Sequence, residues 1–355
     1  MDYKRDARNL KKQNKEFKIK ISIYAVVGMG GIQSKQGYYF YFLPFITLWI
    51  LPHLFKQQNH QTMKRRKFIQ DSAMAALTIG VFGKIKWDGE KYVGTDPTTT
   101  DILGPFYRPG APFRTELIQP GTKGETLHFS GTIIGKDGKS PVNGALVEIW
   151  HCNEDGVYDN TSDNYVYRAS AKTSAKGKYE FRTIMPVPYA AGQTLVRPAH
   201  IHMRISANGV QDLVTQIYFK GDKYIAGDIS AKDPTALNRI LDMTKNTKNE
   251  ITVKFDVYLK EEYVLEATAF KKIVGLYEMS DKSMIEFYKD GDQLFAKING
   301  QIMEAMDYKG DNSFAGGIGY VKAKFELLSG GGAKVKVTIK DDKPIELEGT
   351  KLLKY

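Results

Sequence analysis

The sequence predicts an all-β protein built as two consecutive β domains. From about Lys84 onward, short runs of alternating apolar and polar residues are punctuated by Gly, Asn, Asp and Pro. These runs recur at the spacing of sandwiches and barrels. A change of texture around Ala267–Ile273 (ATAFKKI) divides them into two sets.

In the first set, over residues 96–266, strands are predicted at 128–134, 145–150, 177–182, 200–205, 213–219 and 251–258. The turn signals Lys136-Asp137-Gly138, Asn153-Glu154-Asp155-Gly156 and Asn208-Gly209 separate some of them. One helix is predicted over 233–243, with Asp233 as N-cap and Pro234 at its first position. The second set, over 267–355, gives strands at 283–288, 293–298, 323–328 and 333–339, the last two divided by Ser329-Gly330-Gly331-Gly332. Residues 274–355 contain no His and no Cys, so no metal chemistry is expected there.

Length and charge narrow the function. The chain has 355 residues, 42% of them hydrophobic and 26% charged, ample for a buried core. Its single cysteine, Cys152, excludes an internal disulfide. The net charge of +11 is not spread over the chain: residues 1–70 carry 14 Lys/Arg against 3 Asp/Glu, leaving 37 of each sign elsewhere. The β domains are therefore neutral, and nucleic acid is not an expected partner.

Residues 1–62 form a leader that does not resemble a domain, with a Lys-rich start and an apolar run over 38–55. Pro44 and Pro52 interrupt that run, which as a helix would be marginal for a bilayer. Residues 63–95 begin Met63-Lys64-Arg65-Arg66-Lys67-Phe68-Ile69 and continue into a weakly apolar stretch at 73–82. This arrangement resembles a twin-arginine export signal, with Met63 as the native start. The implied location is the periplasm or cell envelope, or the cytoplasm if the leader is not functional, with membrane contact confined to the leader.

The segment Arg197-Pro198-Ala199-His200-Ile201-His202 carries the chemistry. On a strand, residues i and i+2 share a face, so His200 and His202 can bind one metal ion together. Two tyrosines, Tyr158 after Gly156-Val157 and Tyr189 after Pro186-Val187-Pro188, each follow a turn at a strand end, where side chains can converge. The ordered runs W-x-x-N-x-x-G-x-Y (from Trp150), G-x-Y-x-F-x-T-x-x-P-x-x-Y (from Gly177) and R-P-x-H-x-H (from Arg197) resemble the intradiol aromatic-ring-cleaving dioxygenases. That family includes the catechol, hydroxyquinol and protocatechuate dioxygenases. Thr100-Asp101-Ile102-Leu103-Gly104-Pro105-Phe106-Tyr107 and Thr215-Gln216-Ile217 fit the same family, and the resemblance covers about 98–262.

The resemblance implies a prealbumin-like antiparallel β-sandwich catalytic domain and makes Tyr158, Tyr189, His200 and His202 the ligands of a non-haem ferric ion, Fe(3+). Hard phenolate oxygens suit the trivalent state, whereas two His plus a carboxylate suit the divalent one. It implies a small aromatic diol and O2 as substrates, with cleavage between the two hydroxyl-bearing carbons to a muconate-type diacid. Tyr189 is then also the base that takes a substrate proton, Arg197 stabilises negative charge on the ring, and Gln216 orients the second His or the intermediate. Ile102 and Pro105 fall where the family builds the apolar wall of the ring pocket. His128, His151 and Cys152 match no ligand position and are expected to serve packing or surface roles.

The sequence departs from the family in two places. Val187 stands where many members have Gly, so the loop before Tyr189 is expected to take another path. No amphipathic helical stretch precedes Thr100, so an oligomer of the catechol branch's helical-dimer type is not expected. The competing resemblance is a non-catalytic prealbumin-like binding module, which has no need of the His or Tyr pairs. A cupin is excluded because no histidine follows His202. The small C-terminal β domain faintly resembles the lipocalin-like domain appended to some bacterial hydrolases.

Overall fold

The computed structural model describes residues 97–192, 195–260, 265–340 and 343–353, with the backbone of two short antiparallel strands, β1 (Lys86–Trp87) and β2 (Tyr92–Val93). The apolar run at 38–55, the paired arginines and the stretch at 73–82 lie outside the described residues. The chain divides into two compact units, Met1–Gly94 and Thr95–Tyr355. Both β assemblies belong to the second. No helix among the described residues is long and apolar enough to cross a membrane.

The first assembly contains β3 (Thr126–Ile134), β4 (Leu146–Trp150), β5 (Arg168–Lys172), β6 (Lys178–Ile184), β7 (Tyr189–Ala190) and β8 (Val196–Arg197). It continues with β9 (His200–Ser206), β10 (Leu213–Phe219), β11 (Ile240–Leu241), β12 (Thr244–Lys245), β13 (Ile251–Lys254) and β14 (Val257–Tyr258). One sheet has the order β11-β10-β9-β4-β5, the other β12-β13-β3-β14 with β6 also paired to β3. Period-two alternation in β3 turns Leu127, Phe129 and Ile133 inward and His128 outward. The inward residues share one apolar core with Val147 and Ile149 of β4 and with Ile201, Met203 and Ile205 of β9. Each such side chain, fully buried, contributes about 1.5–3 kcal/mol.

Three expectations are corrected here. The strand expected at 251–258 breaks between β13 and β14, where the Asp256 carboxylate accepts from the Thr132 N–H at 2.8 Å. Both halves run parallel to β3, and β11 runs parallel to β10, so the sheets are mixed, not antiparallel throughout. The helix expected over 233–243 is a single 3-10 segment, Pro234–Arg239. Asp233 does cap it, accepting from the Thr235 N–H at 2.9 Å, but Ile240 and Leu241 are drawn into pairing with Tyr218 and Phe219.

The second assembly is a closed barrel, β15 (Gly275–Met279), β16 (Met284–Asp290), β17 (Gln293–Ile298), β18 (Gln301–Tyr308), β19 (Ser313–Gly316), β20 (Val321–Leu327), β21 (Ala333–Ile339) and β22 (Ile345–Lys351). Neighbours are antiparallel throughout and β22 returns to β15, so no strand edge is left open. Edge-to-face aromatics fill the interior: Phe287 and Phe314 meet Phe325 at 5.1 and 5.7 Å between ring centroids. The preceding helix, α1 (Ala267–Ile273), adds Phe270 and Ile273 to the same core. Barrel and sandwich meet through Arg204, which donates to Asp290 at 2.7 Å, and through Thr100, which donates to Asp307 at 2.9 Å.

Candidate metal centre

The sheet containing β9 has one face in the sandwich core, and its opposite face organises the site. Register places Trp150 and Gln216 on either side of His202, Tyr218 beside His200, and Glu148 beside Arg204. His200 and His202, two residues apart, point the same way, with their Nε2 atoms 3.2 Å apart. The Pro198 carbonyl lies 2.7 Å from His200 Nδ1, which assigns the ring proton to Nδ1 and leaves the Nε2 lone pair toward the cluster. The Trp150 ring stacks on His202 at 4.9 Å and 6°.

The two tyrosines arrive on loops. Asn153 builds the first: its side-chain oxygen accepts from the Asp155 and Val157 N–H groups at 3.0 and 2.8 Å. Gly156 sits at φ +76°, and a Cβ there would lie 2.8 Å from Tyr189 Cβ, so only glycine lets the loops close on each other. Tyr158 Oη then stands 3.2 Å from His200 Nε2. Tyr189, on β7, pairs in register with Arg197 on β8, and its ring centroid is 5.5 Å from those of both Tyr158 and His200. Val187 keeps a negative φ.

Electrostatics separates these groups by role. Burial, then the Arg197 charge, pushes His200 down to about 3, and burial with His200 and Arg197 also depresses His202, so both imidazoles are neutral donors. Burial raises both phenols, Tyr158 further through its neighbour Tyr189, so they ionise only if a cation joins them. Two neutral imidazole lone pairs and two phenols, all buried but the half-buried Tyr189, fit a hard trivalent metal ion. Among the described residues no three His, Cys, Asp or Glu side chains gather as a ligand set.

Around the cluster lies a buried polar network. Arg197 donates to Asp228 at 2.7 Å and to Gln216 Oε1 at 3.0 Å. Burial would lower the guanidinium, but Tyr218 and Asp228 hold it protonated; burial would raise Asp228, but Arg197 holds it below the usual carboxylate range. Gln216 Nε2 donates in turn to the Ile102 carbonyl at 2.6 Å. Ile102 is half-buried and Pro105 exposed. Between them a Cβ on Gly104 (φ +74°) would be 3.2 Å from His202 Cε1, which shows how closely this loop lies over the cluster. His128 pairs with Glu250 at 2.8 Å, His151 is buried against Thr183 and the Cys152 carbonyl, and Cys152 is buried beside the Val187 carbonyl.

Sequence reasoning therefore named the four converging side chains, Arg197 and Gln216. It missed Phe106, whose ring stacks on Tyr158 at 4.2 Å and 15°, although Phe106 lies inside a run already singled out. It also missed Asp228, which sits in an irregular stretch with no periodicity to mark it.

A family model described as "Dioxygenase" matches residues 102–261. The chain is 33% identical over 175 residues to a chlorocatechol 1,2-dioxygenase of Rhodococcus opacus, covering 43% of this chain and 68% of that protein. It is 34% identical over 215 residues to a 6-chlorohydroxyquinol 1,2-dioxygenase of Cupriavidus pinatubonensis, covering 55% and 75%. With catechol 1,2-dioxygenase 2 of Acinetobacter lwoffii it shares 40% identity over 152 residues, covering 38% of this chain and 55% of that one.

Proposed function

The chain belongs to the intradiol ring-cleaving dioxygenase family, and on that premise we propose that it binds Fe(3+) and cleaves a catechol-type ring between its hydroxyl-bearing carbons, giving a muconate-type diacid from one O2. The observation that carries this reading is the convergence of Tyr158, Tyr189, His200 and His202, with Tyr158 Oη and His202 Nε2 each 3.2 Å from His200 Nε2. Ferric ion bound there would supply Lewis acidity toward both diol oxygens and draw electron density from the ring.

The residues of the chain do the rest. Tyr158, His200 and His202 are buried and would hold the ion. Tyr189 is half-buried and beside Arg197, and its Oη takes the proton of one diol hydroxyl as the substrate enters. Arg197, fixed by Asp228 and Gln216, presents positive charge where the ring becomes electron-rich, at no cost in reorganisation. Ile102, Pro105 and Phe106 supply apolar surface for the ring, Phe106 from its stack on Tyr158.

The paired arginines after Met63 support a periplasmic or envelope location, since that export route carries proteins already folded around a cofactor. The sandwich at 96–266 is then the catalytic domain, prealbumin-like in type, and 267–355 an appended one. The test is colour and turnover. Loaded with ferric salt, the protein should be burgundy from tyrosinate-to-iron charge transfer and should consume O2 with at least one member of a dihydroxybenzene panel, the product absorbing as a muconate. A colourless, iron-free protein inert to the whole panel would leave only a binding module.

A further inference from the structure

The loop from Thr100 to Tyr107 is held from two sides. On the sandwich side the Asp101 N–H donates to the Val214 carbonyl at 3.0 Å and Gln216 grips the Ile102 carbonyl. On the barrel side Gln301 Nε2 donates to the Pro105 carbonyl at 2.6 Å. Beside the loop the buried Glu304 carboxyl accepts from the Ala305 N–H at 3.1 Å. Two glycines of the barrel make room here. A Cβ at Gly316 would lie 2.4 Å from Glu304 Cγ, and one at Gly317 (φ +54°) would lie 2.7 Å from Ile102 Cγ2. Between these anchor points lie Gly104, closed against His202, and Phe106, stacked on Tyr158.

An irregular segment has no ladder of its own, so its position is set by whatever satisfies its peptide groups. Here the barrel satisfies the Pro105 carbonyl, and the fit of Ile102 against Gly317 leaves no slack. We propose that the barrel is a positioning element of the ring pocket: through Gln301 and Gly317 it sets the 102–106 loop, and with it the ring substituents the pocket accepts. This rests on the reading of the site given above. It assigns the barrel a role in specificity through residues that touch no substrate.

The experiment uses the full chain with two variants, Gln301→Ala and Gly317→Ala. Hydrogen exchange of the Ile102, Leu103, Gly104 and Phe106 amides, measured on protein without added iron, should quicken roughly fivefold in Gln301→Ala, as loss of one hydrogen bond predicts. The β9 amides should exchange as in the parent. With iron, the kcat/KM ratio of 4-methylcatechol to catechol should shift about fivefold or more in Gly317→Ala, in KM more than in kcat, as a displaced apolar wall predicts. Iron content and resting colour should match the parent in both variants. Unaltered exchange together with an unaltered ratio would overturn the proposal. So would loss of iron or colour in either variant, which would make these contacts supports of the metal cluster instead. A parent protein inert to every diol would remove the reading of the site, while the exchange comparison would still decide whether the barrel holds the loop.

Discussion

The sandwich and the barrel are both closed around apolar interiors, yet they use their buried surface differently. In the barrel, inward positions such as Tyr277, Phe287, Phe314 and Phe325 fill one core, and the outer face carries exposed charge pairs such as Lys336 with Glu346 at 2.8 Å. In the sandwich, β9 is buried on both sides. Ile201, Met203 and Ile205 enter the core, while His200, His202 and Arg204 occupy the other face beneath the 100–107 loop and the barrel. Polar groups survive burial only when they are paired, so covering the second face of a sheet demands a network there. That network is buried and fixed in place, the condition under which a charge or a ligand acts most strongly.

The largest break in this contrast is expected at the cluster itself. Tyr158→Phe and His200→Ala should each abolish iron retention, visible absorbance and ring cleavage together, as read by metal analysis, spectrum and oxygen uptake. Retained turnover in either variant removes that residue from the ligand set. Next comes the seam. Arg204→Met leaves Glu148 and Asp212 buried without their counter-charge, at 3.6 and 3.3 Å in the parent, and should cost about 3–5 kcal/mol in urea unfolding.

A pH effect of intermediate size is expected at Glu304. Burial, with Asp101 and Asp307 adding to it, pushes this carboxyl from 4.5 up to about 8. Between those values the folded chain keeps a proton that the unfolded chain has lost, so stability should fall as pH rises through that window. Glu304→Gln should flatten the decline, and an equally steep profile in the variant would assign it to other groups. The smallest effect belongs to the barrel's outer face. Lys282→Ala, which removes an exposed pair with Glu278 at 3.0 Å, should change stability by less than about 0.5 kcal/mol.

Legibility in the sequence follows the same division. β3, β9, β10 and β21 declare themselves because each is a run of β-formers bounded by turn residues, and the i, i+2 histidines announce a shared face. β18 was not visible, and its burial explains why: Glu304, Ala305, Met306 and Asp307 are all buried where the barrel meets the sandwich, so alternation disappears and acidic residues occupy the interior. β5, with the sequence Arg-Ala-Ser-Ala-Lys, has no large apolar residue to signal a strand, and becomes one by pairing with β4. β22 alternates plainly, Ile-Glu-Leu-Glu, and its signal was present though it was not among the expected strands. At the site, the motif residues were legible because their spacing is unusual. Asp228 was not, because a carboxylate that fixes an arginine from a distant loop leaves no local trace.

The missing side chain at Gly156 has a practical consequence for redesign. Because the backbone of one tyrosine-bearing loop rests directly on the Cβ of the other tyrosine, the two loops behave as one interlocked part. Anyone transplanting a pocket from a relative would have to exchange both segments as a matched pair, since a graft of either alone would collide with the half left behind.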